Sequence, residues 1–325
     1  MLYKDAGVDI DSLNLVKKGF GKEVAKTFKK NVKSEFGLFG GLYPFGNDYL
    51  ISSVDSVGTK ILVACAMNIH NTVGADIVNH CINDILTTGA IPLFFLDYIG
   101  FSQLEKKTLL NIVKGIAAAC KKEKIILIGG ETAQLKKFYP KDVYDLVGFI
   151  VGRVTKKNYI DTTNIQPGDI ILGLKSSGLH TNGYSLARRV LLRKYVFSSY
   201  MSELKCTVGK ELLKVHRSYR RDLEPRLHHV KGLAHITGGG FYDNINRILP
   251  NGCSAIIQKK SWRPLPIFTL LQKLGDIPDE EMYRVFNMGI GMAVVINKKA
   301  QKYFKPLKPI CIGEIIKDTF GVKVV

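Results

Sequence analysis

Much of what this chain lacks bears directly on what it can be. Its six cysteines, Cys65, Cys81, Cys120, Cys206, Cys253 and Cys311, are far apart, with no C-x-x-C pair and no histidine at zinc-finger spacing. That excludes a disulfide framework and a structural zinc module, and leaves free thiols of a reducing cytosol as the reading. No stretch approaches the ~18 consecutive apolar residues of a membrane span. The opening Met1-Leu2-Tyr3-Lys4-Asp5 carries charge where a signal peptide needs an apolar run, so a cytoplasmic protein with no membrane partner is expected. Internal repeats and low-complexity tracts are absent. So are an RNA-binding aromatic signature, a helix-turn-helix pattern and a basic tail; the net charge of +19 raises nucleic acid as a partner, but polyanionic small substrates fit it equally well and no specific nucleic-acid partner is expected.

Two catalytic classes drop out by the same route. Gly58-Thr59-Lys60 inverts the G-K-[ST] order of a P-loop and lacks its upstream glycine, which disfavours a P-loop NTPase. G-x-S-x-G is missing, and no acid in the loop around His180 is placed to orient that ring, which disfavours a serine hydrolase.

What is present is a globular composition, 46% hydrophobic and 23% charged, over 325 residues, a length that suggests two domains. Lys22, Lys26, Lys29, Lys30 and Lys33 around Val24, Phe28 and Val32 read as a solvated amphipathic helix. The first half then alternates strands at Tyr49–Val54, Leu93–Asp97 and Ile125–Ile128 with helices at Asn71–Gly89 and Leu104–Lys122, and Asp145–Val154 is a further apolar run. Asn164-Ile165-Gln166-Pro167-Gly168-Asp169 breaks the pattern, dividing the chain into units 1–165 and 166–325. Beyond it come a strand at Ile170–Leu174, a helix at Ser185–Leu192, a polar basic stretch to about Lys231, and late strands near Ala255–Gln258 and Met292–Ile296.

Five segments could carry chemistry. Ile125–Ile128 reads as a buried strand ending in Gly129-Gly130-Glu131-Thr132, where backbone can approach a ligand and Glu131 can face a metal; a plain tight turn is the alternative. Val54-Asp55-Ser56-Val57-Gly58-Thr59-Lys60 closes a strand with an acid, a glycine, a hydroxyl and a lysine, a kit for metal and phosphate or else a structural turn. In the helix after Asn71, Val73, Ile77, Val78, Cys81, Ile82 and Ile85 make a buried stripe, while Asp76, His80 and Asp84 recur every four residues along another face. A solvated face is the common meaning of such a row, yet Asp84, nearest the apolar border, could join Asp55 on a divalent cation. Ser177-Gly178-Leu179-His180-Thr181-Asn182-Gly183 links a strand to a helix with donors for an anion and one group titrating near neutrality. His235-Ile236-Thr237-Gly238-Gly239-Gly240-Phe241 offers free amides at a helix start, or a flexible turn.

In this order and at these separations the segments resemble the aminoimidazole ribonucleotide synthetase family, the phosphoribosylformylglycinamidine cyclo-ligases of purine biosynthesis. The resemblance spans nearly the whole chain. Its most specific parts are Tyr3-Lys4-Asp5-Ala6-Gly7-Val8-Asp9-Ile10, Phe94-Phe95-Leu96-Asp97-Tyr98 and Phe286-Asn287-Met288-Gly289. The chain departs from the family at Ser56, where glycine is usual, at Gln134, Leu135 and Lys136, and at Thr181, where serine is usual. Ser56 is the departure of consequence, because serine at a position needing positive φ would be strained.

The resemblance implies an α/β, two-domain ATP-binding fold whose N-terminal sheet pairs with that of a second copy in a barrel-like homodimer. It implies ATP with Mg²⁺ and formylglycinamidine ribonucleotide as substrate, closed to aminoimidazole ribonucleotide with release of ADP and phosphate. Asp55, Asp84, Asp97 and Glu131 are then the expected metal ligands. Lys4, Asp5, Gly7, Asp9, Gly58, Thr59, Lys60, Gly129, Gly130 and Thr132 are expected around the nucleotide, with Lys60 on the transferring phosphate. Ser177, Gly178, His180, Asn182, Gly183, Gly238, Gly239 and Gly240 are expected on the substrate side, with His180 a proton carrier and Asn182 its companion. Other enzymes of the superfamily, such as selenophosphate synthetase or thiamin-monophosphate kinase, are the alternatives, the former disfavoured because Met1 to Asp9 holds no cysteine. A basic binding protein without catalysis is the alternative of another class.

Overall fold

The computed structural model describes residues 1–28 and 37–325. Helix α1 runs Ile10–Ala25, opened by the Asp9 carboxylate, which accepts the Ser12 amide at 3.0 Å. It ends before Phe28, so the expected basic helix is earlier than its lysine pattern suggested; Lys29, Lys30, Val32 and Lys33 lie outside the described residues.

A five-stranded sheet follows. Its strands are β1 (Gly41–Phe45), β2 (Asp48–Ser56), β3 (Ile91–Phe101), β4 (Ile126–Gln134) and β5 (Tyr144–Thr155), in the order β1-β2-β5-β3-β4. All neighbours are antiparallel except β3 and β4, which are joined through a helical crossover and run parallel. Helices α2 (Ile61–Met67), α3 (Asn71–Leu86) and α4 (Lys106–Glu123) belong to the same half. The apolar stripe of α3, including Val73, Ile77, Cys81, Ile82 and Ile85, is fully buried on the sheet. Contact is close: a Cβ on Gly148 of β5 would stand 2.4 Å from the Phe95 ring and 2.7 Å from Ile77. Helices α3 and α4 also nearly touch, since a Cβ on Gly115 would meet the Asn71 carbonyl at 2.1 Å.

The other face of this sheet is bare. Val54, Ile126 and Ile128 are 64%, 65% and 62% exposed, and Tyr43, Phe45 and Phe149 stand beside them, a large apolar surface with nothing of this chain over it among the described residues. Here the sequence reading needs correction. The apolar run at Ile125–Ile128 is no buried strand stopping at two glycines; β4 is the exposed edge of the sheet and continues through Gly129 and Gly130 to Gln134.

A second sheet is built from β6 (Ile170–Lys175), β9 (Val230–His235), β10 (Cys253–Ile257), β11 (Ile290–Ile296), β12 (Ile310–Lys317) and β13 (Val322–Val324), in the order β13-β10-β12-β6-β11-β9; a small hairpin pairs β7 (Tyr200–Met201) with β8 (Cys206–Thr207). Helix α5 (Tyr184–Leu191) follows β6 directly. No helix among the described residues is long and apolar enough to cross a membrane. The first residues of the chain cross over to this second half. The Met1 ammonium donates to the Gly275 and Asp276 carbonyls at 3.2 and 3.1 Å, Tyr3 N donates to Glu281 Oε1 at 2.6 Å, and Arg284 pairs with Asp11.

Candidate active site between the two halves

The polar row of α3 organises the site. Asp76, His80 and Asp84 are only 0%, 3% and 5% exposed, so the row expected to be a solvated face is a buried one. The residues around His216, together with β9, cover it. Asp76 Oδ1 accepts the His216 amide at 2.7 Å, Asn83 Oδ1 accepts the Tyr219 amide at 2.9 Å, and Asn79 donates to the His216 carbonyl at 2.7 Å. A helix with an apolar stripe on one side and amides and carboxylates on the other thus buries both, because the second half supplies backbone partners.

Asp55 and Asp84, from β2 and α3, do come together. His80 Nε2 lies 2.9 Å from Asp55 Oδ2 and 3.5 Å from Asp84 Oδ2, and Asp84 Oδ1 is 2.8 Å from His235 Nδ1. Burial alone would raise the Asp55 carboxyl, but the His80 imidazole beside it outweighs burial and holds it below its ordinary range. Burial would lower His80, and Asp55 and Asp84 overcome that and lift it to about 9. Asp97 shares a cross-strand row with Asp55: Asp55 pairs with Gly148, Gly148 with Asp97 and Asp97 with Gly130. Its carboxylate lies across the second glycine, where a Cβ would stand 2.5 Å from Oδ1, which explains a glycine there. Glu131 pairs with Tyr98, one residue out of phase, so it projects from the bare face and shares no ion with Asp55 in one chain. Of the four acids expected as metal ligands, Glu131 is thus the one that a single chain does not bring to the face of Asp55.

Lys60 also departs from expectation. It is fully buried, 2.7 Å from Asp76 Oδ2, and donates to the carbonyls of Lys214 at 2.7 Å and His180 at 3.1 Å. Held by two carbonyls and an ion pair and shut off from solvent, the Lys60 ammonium is not presented to a phosphate. Burial weakens both charges, lowering Lys60 and raising Asp76. The pair instead ties the first half to the backbone of the second.

His180 is 1% exposed, sits in the left-handed region at φ 62°, and stacks on His216 with centroids 3.9 Å apart. Its Nε2 accepts the Ser177 amide at 3.2 Å, and its Nδ1 is buried without a partner. Burial, then the cationic neighbours, push it well below the ordinary histidine value. A proton carrier open to substrate is therefore not what this arrangement presents. The accessible groups lie on neighbouring segments: Asn182, the exposed Gly238 whose added Cβ would lie 3.3 Å from Asn182 Oδ1, and Thr59, 3.1 Å from Ser185 at the start of α5. Gly239 and Gly240 have φ of 90° and 58°, and Gly240 is pressed against the Tyr283 carbonyl. Gly178 and Gly183 are buried, Ser177 half-buried with its hydroxyl on the Val215 carbonyl. Gly58 takes the left-handed conformation at φ 66°, whereas Ser56 stays out of it. The serine substitution is unstrained.

Lys4, Asp5, Gly7 and Asp9 lie in the crossing N-terminal segment, with Lys4 and Asp9 in a small hollow shared with Glu281 and Arg284. Gly129 is open on its Cβ side, and Thr132 lies farther along the exposed edge. A larger cavity, about 750 Å³, opens elsewhere, between Arg153, Lys157, Asn158 and Lys231. Sequence reasoning missed His216, which sits in a basic stretch with no periodicity to mark it, and missed the pairing of Lys60 with Asp76, two residues sixteen apart.

Two family models match the chain, "AIR synthase related protein, N-terminal domain" over residues 40–154 and "AIR synthase related protein, C-terminal domain" over 166–324. A phosphoribosylformylglycinamidine cyclo-ligase of Thermoanaerobacter sp. strain X514 is 48% identical, with 99% of each chain covered. That of Caldanaerobacter subterraneus subsp. tengcongensis is 46% identical at the same coverage. Among solved structures, thiamine monophosphate kinase from Aquifex aeolicus covers 98% of both chains with a TM-score of 0.67 at 16% identity, a likeness of fold.

Proposed function

The chain belongs to the AIR synthase related family, and we propose that it catalyses the ATP-dependent closure of formylglycinamidine ribonucleotide to aminoimidazole ribonucleotide. The observation that carries this is the identity, over nearly its full length, to enzymes named phosphoribosylformylglycinamidine cyclo-ligase. The chemistry needs activation, because an amide oxygen is a poor leaving group. The γ-phosphoryl group of ATP is transferred to that oxygen, an amidine nitrogen attacks the imidate carbon, and the C–O bond breaks as phosphate leaves and the nitrogen gives up a proton.

The residues fit a role in that sequence. Asp55 and Asp84 converge on a single imidazole nitrogen, close enough to share one cation, and we assign them to Mg²⁺, with Asp97 farther along the same row. When bound, the ion neutralises charge on the β- and γ-phosphates. Gly58 and Thr59 face α5 across the seam and are our choice for phosphate contacts, with Lys4 to Asp9 closing over them and excluding water. Asn182 and Gly238 to Gly240 take the ribonucleotide, and Ser177, Gly178 and Gly183 shape that loop. Lys60 and His180 act from within: Lys60 holds the His180 carbonyl, and His180 supports the loop that presents Asn182.

A homodimer belongs to the proposal. The bare apolar face, with β4 at its edge, is supported as the contact surface, and only across such a contact would Gly129, Gly130, Glu131 and Thr132 meet a nucleotide held by another copy. A cytoplasmic location is kept as part of this reading.

The test is ATP hydrolysis with and without formylglycinamidine ribonucleotide, alongside detection of the aminoimidazole product. Substrate-stimulated hydrolysis with product formation is expected, and Asp55→Asn or Asp84→Asn should lower turnover at least about 10²-fold with folding preserved. ATP hydrolysis indifferent to the ribonucleotide, or full activity of both variants at saturating Mg²⁺, would overturn it.

A further inference from the structure

Two imidazoles stand among the carboxylates just assigned to a cation, and an all-oxygen magnesium site has no use for them as ligands. His80, Asp84 and His235 each bring one donor atom within 4.8 Å of the others, all three buried, and Asp55 adds an oxygen 2.9 Å from His80 Nε2. Around one cation bonded to nitrogen and oxygen at about 2.1 Å, neighbouring donors stand roughly 3.0–3.4 Å apart, octahedral to tetrahedral. The observed separations, 2.8, 2.9 and 3.5 Å, bracket those edges.

A rival set, His180, His216 and His235, is also gathered within 4.8 Å. Its geometry is wrong. His180 and His216 lie nearly parallel, 19° apart and 3.9 Å between centroids, so their in-plane lone pairs run side by side and never meet on an ion. His80 and His235 stand edge to face at 82°, an arrangement in which two rings can aim nitrogens at a shared centre.

We propose that Asp55, His80, Asp84 and His235 form a binding site for a transition-series divalent cation of the manganese class, with both imidazoles as direct ligands. The proposal rests on the reading of Asp55 and Asp84 as cation ligands and goes beyond it in the donor set. Imidazole suits first-row transition ions, whereas magnesium keeps its waters and takes one or two carboxylates. The outer partners that such ligands need are in place: the second nitrogen of His80 is 2.8 Å from Thr181 Oγ1, and that of His235 is 2.9 Å from His216 Nε2. Two carboxylates match the charge of the ion, and the Asp55 side chain, 42% exposed, gives a route in from solvent.

The experiment is Mn²⁺ titration of the full-length, chelator-stripped protein without nucleotide, followed by electron paramagnetic resonance. Mn²⁺ binds carboxylates in either case, so the deciding signal is nuclear modulation from directly bound ¹⁴N. One ion per chain with imidazole coupling is expected; His80→Gln should reduce the coupling and weaken binding about 10–100-fold or more. His235→Gln serves as a second variant, with thermal unfolding of each checked. Bound Mn²⁺ without nitrogen coupling in the unmutated chain overturns the proposal and leaves the carboxylate assignment standing. Full Mg²⁺-dependent turnover by Asp55→Asn and Asp84→Asn would remove that assignment, and this proposal with it.

Discussion

The polar face of α3 and the strand β4 invert each other. The helix carries Asp76, His80 and Asp84, residues that favour water, and buries them; the strand carries Ile126 and Ile128, residues that avoid water, and exposes them. Burial in this chain is decided by what arrives to cover an element. The residues from Lys175 to Tyr219 bring amides, carbonyls and imidazoles to the helix, so that Asp76 Oδ1, Asn79 and Asn83 find partners out of water. Among the described residues nothing arrives over β4, and its side chains are left for another molecule to meet.

The sharpest way to break this comparison is at the buried pair. Lys60→Met leaves the Asp76 carboxylate desolvated and unpaired, and should cost about 3–5 kcal/mol in urea unfolding. Adding Asp76→Asn to it should return more than half of that loss, because no charge is then stranded. A single variant within about 1 kcal/mol of the parent would mean that water reaches the seam, and that α3 is less dry than its contacts indicate.

The exposed strand is tested by charge. Ile126→Lys or Ile128→Lys, on the bare face, should weaken the proposed dimer by roughly 100-fold, about 3 kcal/mol, since an ammonium would be buried without a partner. Sedimentation should show monomers whose subunit unfolding is unchanged. If the unmutated chain sediments as a well-folded monomer at micromolar concentration, β4 is a tolerated exposed edge and the pairing of two sheets is wrong.

These two regions also mark where the sequence was legible. The period of the α3 stripe identified both the helix and its sheet-facing side, and the pairing of Asp55 with Asp84 followed from their places at a strand end and a helix border. The opposite face could not be read, since a polar row looks the same whether it meets water or a second half of the chain. Strand β4 failed for the converse reason: an apolar run signals burial but not by which molecule. Val230–His235 was hidden because both its faces lie inside, leaving no alternation, and His216 sits in a segment with no regular structure at all.

Glu131 links the two regions. It projects from the bare face, so in the proposed dimer it serves a nucleotide bound by the other copy. Glu131→Gln should lower turnover about tenfold, ~1.4 kcal/mol, in the dimer. In the Ile126→Lys background, where copies no longer meet, the same substitution should lower it no further, a coupling read from a double-mutant cycle. Equal losses in both backgrounds would place Glu131 in a site complete within one chain.

The smallest effect is expected at Ser56, the last residue of β2, which hands the chain from Asp55 to the Gly58 turn. Were its backbone in the left-handed region, the family's glycine would relieve strain and Ser56→Gly would stabilise. It is not; the left-handed residue of this loop is Gly58, and the Ser56 amide is turned to Asp55 Oδ1 at 2.7 Å. Glycine there should therefore only loosen a strand end, lowering stability by about 0.5–1 kcal/mol through the extra freedom of the unfolded chain. Turnover should stay within about twofold, because the Asp55 carboxylate keeps its amide and its imidazole. A stabilised Ser56→Gly protein would show that β2 ends under strain, and that the carboxylate at the mouth of the dry seam is held less firmly than the one inside it.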